Sequence, residues 1–167
     1  MPYRNKTYVA FDADSDIRYY RLMTAWKQSD KTDFNFNNAH DLINIWQHSS
    51  EDTIKRNLRE RMNNSKIFIL LVGEKTKYLY KYVKWEIEQA IKLELPIIVV
   101  NLNGKRSLDS DKCPAVLRDK LAIHVSFNSK IIQFALENWS DSHYTHSRSG
   151  ESGPFYYKDS VYSELGL

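Results

Sequence analysis

The chain has 167 residues, of which 42% are hydrophobic and 27% charged, and its formal net charge is +3. This length and composition are typical of one globular domain with a sizeable core, and so small a charge excess gives no reason to expect nucleic-acid binding. The single cysteine, Cys113, excludes an internal disulfide and a zinc site built from cysteines. No apolar run approaches the ~18–20 residues of a membrane span, and the first residues lack a signal-peptide pattern, so we expect a cytoplasmic protein.

Strand and helix patterns alternate along the first 140 residues. Continuous apolar runs predict buried strands, with a shorter edge-like strand second in order, at residues 7–11, 33–36, 66–72, 95–102 and 121–127. Apolar positions at helical spacing predict helices at residues 16–27, 49–63, 77–95 and 129–139. Ser49 and Asp52 resemble a capping box at the start of the second helix.

This alternation predicts an α/β fold, a flavodoxin-like three-layer sandwich with a five-stranded parallel sheet of order 2-1-3-4-5. In such sheets the ligand crevice lies at the carboxyl ends of the strands, beside the point where the strand order reverses. Here that point lies between the first and third strands. The residues delivered to it are 11–14 and 73–76.

The composition changes after residue 140. Residues 140–154 are rich in Ser, His and Gly and show no period, which is typical of a linker. Aromatic residues return in residues 155–167, a segment expected to fold back on the domain or to contact a second copy. We therefore predict a domain at residues 1–140, followed by a flexible arm and C-terminal tail at 141–167.

The helix predicted at residues 77–95 holds a carboxylate in an unusual place. At ~100° per residue, Glu86 falls at the edge of the apolar stripe, whereas Glu88 falls on the solvated side. A carboxylate held against apolar groups has a raised pKa and is a candidate for chemistry. The alternative is a helix-edge acid that simply pairs with Lys81 or Lys84.

Other chemistries of this fold class find no support in the sequence. The first strand is followed by FDADSD, which lacks the glycines of a dinucleotide- or phosphate-binding loop. The third strand ends in Val72-Gly73-Glu74, where a phospho-receiver would need an acceptor Asp. His143 and His146 are spaced i, i+3, but no acids are arranged around them, so we expect no metal site.

A resemblance to a known family lies in three stretches: YVAFDADSDIRYYRLMTAWK at 8–27, SKIFILLVGEKTKYLYKYVKWEI at 65–87, and LPIIVVNLNGK at 95–105. They are similar to bacterial TIR-like domains, in the branch that includes the sensor component of the Thoeris anti-phage system. The resemblance covers roughly residues 5–140. Enzymatic TIR domains carry a Trp-Cys-x-x-Glu motif on the helix after the third strand. The window here is YVKWE at residues 82–86, in which Glu86 matches and Tyr82 and Val83 replace Trp and Cys.

The resemblance implies cleavage of the nicotinamide–ribose bond of NAD, with hydrolysis to ADP-ribose or closure to a cyclic ADP-ribose isomer. Departure of the cationic nicotinamide builds positive charge on the ribose, which one enclosed carboxylate stabilises without a metal. Glu86 is therefore the expected catalytic residue. The expected substrate-binding residues are Phe11, Asp12, Asp41, Gly73 and Tyr82. The two aromatic residues would stack on the substrate or form a wall, the two acids would contact hydroxyls or shape the pocket, and the glycine would let the backbone come close.

Three functions remain open on the sequence. The first is an NAD-consuming signalling enzyme, with NAD as substrate and no cofactor, whose nucleotide messenger acts on a separate effector protein. The second is a non-catalytic interaction module that forms a homo-oligomer through its Tyr-rich surface and tail. The third is an enzyme similar to nucleoside deoxyribosyltransferases, which use a similar sheet and a Glu on a comparable element. None of the three calls for nucleic acid or a membrane as a partner.

Overall fold

The structure is a computed structural model that describes residues 6–28, 35–37 and 50–167. Strands and helices follow one another as β1 Lys6–Ala10, α1 Ile17–Gln28, β2 Asn35–Asn37, α2 Glu51–Asn63, β3 Ile67–Val72, α3 Val83–Lys92, β4 Ile97–Asn101, β5 Ala122–Ser126, α4 Ser129–Arg148, β6 Pro154–Tyr156 and α5 Asp159–Glu164. Two short 3₁₀ turns lie at Thr76–Tyr78 and Ala115–Leu117. Within the described ranges, no helix has the length and apolar character needed to cross a membrane.

The strands form one parallel sheet of order β2-β1-β3-β4-β5-β6. The predicted α/β, flavodoxin-like architecture and the order 2-1-3-4-5 are confirmed. The sheet extends beyond the prediction by one strand, because β6 pairs with the outer edge of β5. The order reverses between β1 and β3, so their carboxyl ends mark the expected ligand crevice.

Both faces of the sheet are covered, which explains why its central strands are apolar throughout. All six residues of β3 and all five of β4 are buried. Because successive side chains of a strand point to opposite faces, the strands contribute side chains to two separate cores. One core packs against α1, α4 and α5, and the other against α2 and α3.

The N-cap of helix α2 lies one residue later than predicted. Ser50, in extended conformation, accepts a hydrogen bond from the backbone N–H of Thr53 at 3.2 Å, and so takes the N-cap role assigned to Ser49. Its predicted stripe is confirmed, since the buried residues of the helix are Ile54, Leu58 and Met62.

Helix α3 is shorter than predicted. The sequence favours one helix over residues 77–95, but the α-helix begins only at Val83. The reason lies at Thr76, which is 1% exposed and whose Oγ1 accepts a hydrogen bond from the Gly73 N–H at 2.9 Å. This contact holds the chain at the end of β3 as a 3₁₀ turn, so the α-helix starts later. Glu86 consequently lies in the first turn of α3.

The C-terminal region is also corrected by the structure. The predicted boundary between residues 140 and 141 falls inside α4, which continues to Arg148. Trp139 and His143 lie one turn apart on α4 and are 2% and 6% exposed, so the apolar face of the helix persists through the Ser-rich composition. The expected flexible arm at 141–167 therefore contains helix, strand and helix.

The tail folds back on the domain, which was one of the two expectations for it. Tyr162 of α5 is fully buried, and its hydroxyl accepts a hydrogen bond from the Ser126 N–H at 3.4 Å, at the end of β5. The Arg106 guanidinium lies 4.1 Å from the centre of the Tyr162 ring and pairs with Asp159 at 3.4 Å. The last helix thus joins the end of β5 to the loop that follows β4.

Candidate active site

Glu86 is enclosed as the sequence predicts. Its side chain is 7% exposed and accepts a hydrogen bond from the hydroxyl of Tyr8, a fully buried residue of β1. Burial raises the pKa of the Glu86 carboxyl from 4.5 to about 7, while the hydrogen bond from Tyr8 acts in the opposite direction. Burial, followed by the neighbouring Glu86 charge, raises the pKa of Tyr8, so the proton of the pair stays on the phenol.

The ion-pair alternative for Glu86 is not what the structure shows. The Nζ of Lys81 lies 3.9 Å from a carboxylate oxygen of Glu51 on α2. The Nζ of Lys84 lies 3.9 Å from a carboxylate oxygen of Glu88, which is exposed as predicted. Both lysines therefore pair with surface acids, and the hydrogen-bond partner of Glu86 is Tyr8.

The helix that carries Glu86 is fixed by its neighbours. Trp85 faces α2, where the cationic groups of Lys55 and Arg59 lie 5.5 and 5.6 Å from its ring centre. Val83, which occupies the family's Cys position, is 3% exposed and packs in the core beneath α3. Tyr82, which occupies the Trp position, is partly buried against the same core and is thus on the same face of the sheet as Glu86.

Phe11 follows β1 and packs on the other face. Its ring stacks on Tyr20 of α1, with centres 4.8 Å apart and planes 14° from parallel, and it borders the core of α1 and α4. Phe11 and Glu86 therefore lie on opposite faces of the sheet. The structure brings Tyr82 and Glu86 into one layer and Phe11 into the other.

Asp12 shapes the loop at the end of β1. It is 4% exposed, and its Oδ1 accepts hydrogen bonds from the backbone N–H groups of Asp14 at 3.0 Å and Ser15 at 3.3 Å. This arrangement is an Asx turn, which fixes the chain as it enters α1. The pocket-shaping part of its expected role has a structural basis, whereas its contact with substrate hydroxyls stays a prediction.

Gly73 and Asp16 meet at the switch point between β1 and β3. A Cβ atom on Gly73 would lie 2.2 Å from Oδ2 of Asp16, so only glycine leaves room for this carboxylate. Asp16 is 6% exposed, and no described residue hydrogen-bonds to its Oδ2. Burial, followed by the negative charge of Asp12, raises the pKa of Asp16. The buried oxygen without a partner suits a hydroxyl or amide donor of a ligand.

Sequence reasoning missed Tyr8 and Asp16 as site residues. Asp41, which it predicted to bind substrate, lies outside the described residues. Asp16 had a signal, because three acids follow β1 at alternating positions. Tyr8 had only a weak one, a polar tip within a buried strand. Among the described residues, no three His, Cys, Asp or Glu side chains are grouped so that they could hold a metal ion.

Cys113 is another titratable group buried in the layer of α2 and α3. It is fully buried, and burial raises the pKa of its thiol to about 12. Its backbone carbonyl accepts a hydrogen bond from Nε of Arg118 at 3.0 Å. A thiol with so high a pKa is a poor nucleophile at neutral pH, which agrees with a structural rather than a catalytic role.

Comparison with protein-family models gives a match over residues 8–107, to the family described as Thoeris protein ThsB, TIR-like domain. The matched region runs from β1 to the loop after β4 and includes Tyr8, Asp16, Gly73 and Glu86. The elements β5, α4, β6 and α5 lie beyond it.

Proposed function

This chain belongs to the TIR-like family of Thoeris ThsB proteins, as its sequence had suggested, and from that membership we propose that it is an NAD-processing enzyme of anti-phage defence. In this proposal NAD is the substrate, and no further cofactor takes part. The enzyme breaks the bond between nicotinamide and ribose in the cytoplasm. Its main product is a cyclic ADP-ribose-type nucleotide.

The reaction needs little acid catalysis. The nicotinamide nitrogen of NAD is already cationic, and the electron pair of the breaking bond neutralises it as the base departs. The ribose carbon is left with oxocarbenium character. Capture of that carbon by an adenine nitrogen of the same molecule gives a cyclic product, and capture by water gives ADP-ribose with loss of a proton.

Glu86 is the group that stabilises the developing positive charge. The observation that carries the proposal is this carboxylate, 7% exposed, in the first turn of α3 and hydrogen-bonded to Tyr8. In a site of low polarity a fixed negative charge acts more strongly on a nearby cation than it would in water. The hydrogen bond from Tyr8 holds the carboxylate in place and favours its ionised form.

The substrate lies across the carboxyl ends of β1 and β3. Tyr82 forms a wall on the Glu86 side, and Phe11 a wall on the other face. Asp16, whose Oδ2 has no described partner, accepts a hydrogen bond from a hydroxyl or amide of the substrate beside Gly73. Asp12 keeps the loop in shape, and Asp41, outside the described residues, is proposed to contribute from the segment after β2.

The direct test is NAD consumption by the purified chain, with products separated by chromatography and identified by mass. The assay is run with the protein alone and with lysate from phage-infected cells, for wild type, Glu86→Gln and Glu88→Gln. We expect loss of NAD and a product with the mass of cyclic ADP-ribose for the wild type. Glu86→Gln should lower turnover by about 10²–10³-fold, the effect typical of removing one electrostatic stabiliser.

Glu88→Gln is the matched control, because it makes the same substitution on the same helix at an exposed position. It should retain wild-type turnover. Equal activity of Glu86→Gln and wild type would remove Glu86 from the catalytic role. No turnover by the folded wild type in either setting would favour a non-catalytic interaction module, and base exchange on deoxynucleosides without NAD loss would favour the transferase alternative.

The product is proposed to be a messenger for a separate effector protein. A protein-free filtrate of the wild-type reaction should activate such an effector, whereas a filtrate from Glu86→Gln should not. Activation by both filtrates would show that the signal is not the product of this site.

A further inference from the structure

A groove separate from the Glu86 carboxylate lies between the start of α3 and the 3₁₀ turn at Ala115–Leu117. One wall is formed by residues 76–80 with Lys84 and Glu88, and the other by residues 114–116 with Arg118. Its volume is about 610 Å³. Glu86 does not line it. The second wall lies beyond the region matched by the family, so the groove is built jointly by the matched region and by this chain's own loop before β5.

The groove is basic at its rim. Lys77 and Lys84 line one wall, and the Nζ of Lys77 donates a hydrogen bond to the backbone carbonyl of Asp111 at 2.6 Å. Arg118 adds a cation from the opposite wall, and its described hydrogen bond uses only Nε. Among the described lining residues the acid is Glu88, which faces Lys84 at 3.9 Å. The rim therefore carries a surplus of positive charge.

The groove also exposes aromatic surface. Tyr78 and Tyr80 are 60% and 67% exposed, an unusual exposure for side chains of this size. The ammonium groups of Lys77 and Lys84 lie 5.2 and 5.9 Å from their ring centres, which holds cation and ring together. Tyrosine and arginine are enriched at protein-binding surfaces, and the lining of this groove combines these two tyrosines with Arg118.

The less exposed part of both walls is largely aliphatic. Leu79 and Val116 are partly buried there, and Pro114 is buried. Aliphatic side chains offer no hydrogen-bond groups to read the edge of a nucleotide base, but they accept an apolar side chain of a peptide. An isologous contact with a second copy would set one basic rim against another, which like-charge repulsion opposes.

We propose that this groove is a docking site for a partner protein, which presents an acidic segment with an apolar anchor residue. The anchor packs between Leu79 and Val116, and the acidic residues on either side pair with Lys84 and Arg118. Tyr78 and Tyr80 cover the anchor from one side. The proposal does not depend on NAD turnover, because none of these groups belongs to the Glu86 site.

The test is selection from a library of short random peptides displayed on yeast, with the full-length purified chain as bait. The enriched peptides are synthesised, and their affinities are measured by fluorescence anisotropy at low salt and at about 0.3 M salt. We expect net acidic peptides with one apolar or aromatic residue, whose binding weakens as salt rises. Lys84→Glu and Tyr80→Ala should each weaken binding about tenfold, equivalent to ~1.4 kcal/mol.

The chain offers a matched control for each variant. Lys92→Glu reverses an exposed lysine of the same helix, and like Lys84→Glu it places a second acid four residues from Glu88. Tyr156→Ala removes a tyrosine that is 65% exposed, outside the groove. Both controls should change affinity by less than about twofold.

Each of five results would overturn the proposal, and four of them come from the peptide experiment. The first is that no peptide enriches above a selection made without the bait, and the second is that the enriched peptides are not acidic. The third is an equal loss of affinity in the variants and in their controls, and the fourth is displacement of the peptides by AMP or NAD. The last would identify a nucleotide site instead. Sedimentation of the wild type as an oligomer that Lys84→Glu dissociates would assign the groove to a second copy and would likewise overturn it.

Discussion

At the scale of single residues, Glu86 is balanced between two opposing effects. Burial favours the protonated form, and the hydrogen bond from Tyr8 favours the ionised form. The result is a pKa of about 7, so a large fraction of the carboxyl groups are ionised at neutral pH. Only the anion can stabilise a cationic transition state, which makes activity sensitive to pH near neutrality.

This balance predicts the pH profile of the proposed activity. kcat should rise with pH through about 7 and level off above it, since Glu86 ionises as its pKa is passed. Tyr8→Phe removes the hydrogen bond that lowers the pKa, so the rising limb should move to higher pH. Measurement of kcat between about pH 5 and pH 9 checks both statements. A limb that does not move in Tyr8→Phe would separate Tyr8 from the titration of Glu86.

The same carboxyl should lower the stability of the fold as pH rises. The unfolded chain loses the Glu86 proton near 4.5, whereas the folded chain keeps it to about 7, so the folded state binds more protons in this window. Stability therefore falls from pH 4.5 to about 7 by on the order of 3 kcal/mol from this group and is level above.

Glu86→Gln should remove that slope. Urea unfolding at about pH 8 is expected to show the variant more stable than wild type by ~1–3 kcal/mol, with little difference at about pH 4. Glu88→Gln, being exposed, should match the wild type at both pH values within ~0.5 kcal/mol. A Glu86→Gln variant less stable than wild type at both values would mean that the carboxylate is not under a burial penalty.

At this scale the sequence predicted part of the site. Helical geometry alone placed Glu86 against apolar neighbours, and this is confirmed. Tyr8 could not be predicted as its partner, because the two residues are 78 positions apart and only the packing of α3 on β1 joins them. Asp16 could be predicted as a site residue only by asking which acid occupies the space that the missing side chain of Gly73 leaves.

At the scale of elements, the spacing of apolar residues predicted helices correctly where tertiary contacts agree with that spacing. It failed where tertiary contacts impose a different local structure. Ile54, Leu58 and Met62 of α2 keep helical spacing and are buried as predicted. In residues 77–82 a helix-compatible sequence forms a 3₁₀ turn and loop, because Thr76 holds the chain to the end of β3. The prediction ended α4 at Trp139, because residues 140–148 are mostly polar and His143 is the one buried residue among them.

The C-terminal helix yields a prediction at this scale. Tyr162→Ala removes a fully buried ring from beneath Arg106 and should cost ~3–5 kcal/mol, as is usual for large aromatic residues of a core. Tyr156→Ala, at a site 65% exposed on β6, should cost less than ~1 kcal/mol. Thermal unfolding of the two variants beside wild type gives the comparison. Equal losses would mean that α5 is not part of the cooperative unit.

For the whole molecule, the sheet order followed from alternation and from the length of the apolar runs. The sixth strand did not, because three residues with an exposed-intermediate-exposed pattern give no signal of their own. The strand forms because it lies against β5 and is anchored by α5. Packing of the completed domain, rather than propensity, selects this last strand.

The region matched by the family should not fold alone. A fragment of residues 1–107 ends after β4 and lacks α4, although Ile98 and Val100 of β4 share a core with Ile131 and Leu136 of that helix. It would expose this core and leave β4 as an unpaired edge. We expect circular dichroism to show no cooperative thermal transition for the fragment, in contrast to the full chain. A cooperative transition would show that the core of α2 and α3 is sufficient by itself.

The buried position of Cys113 has a practical consequence. It is the single thiol in the chain, it has no exposed surface, and its raised pKa keeps it protonated at neutral pH. A thiol-reactive dye can label it only when the loop before β5 detaches from the sheet. The labelling rate under native conditions therefore reports how often this loop opens. Because Pro114, the next residue, lines the groove, a peptide that docks there should slow the labelling of Cys113, and no cysteine needs to be introduced for the measurement.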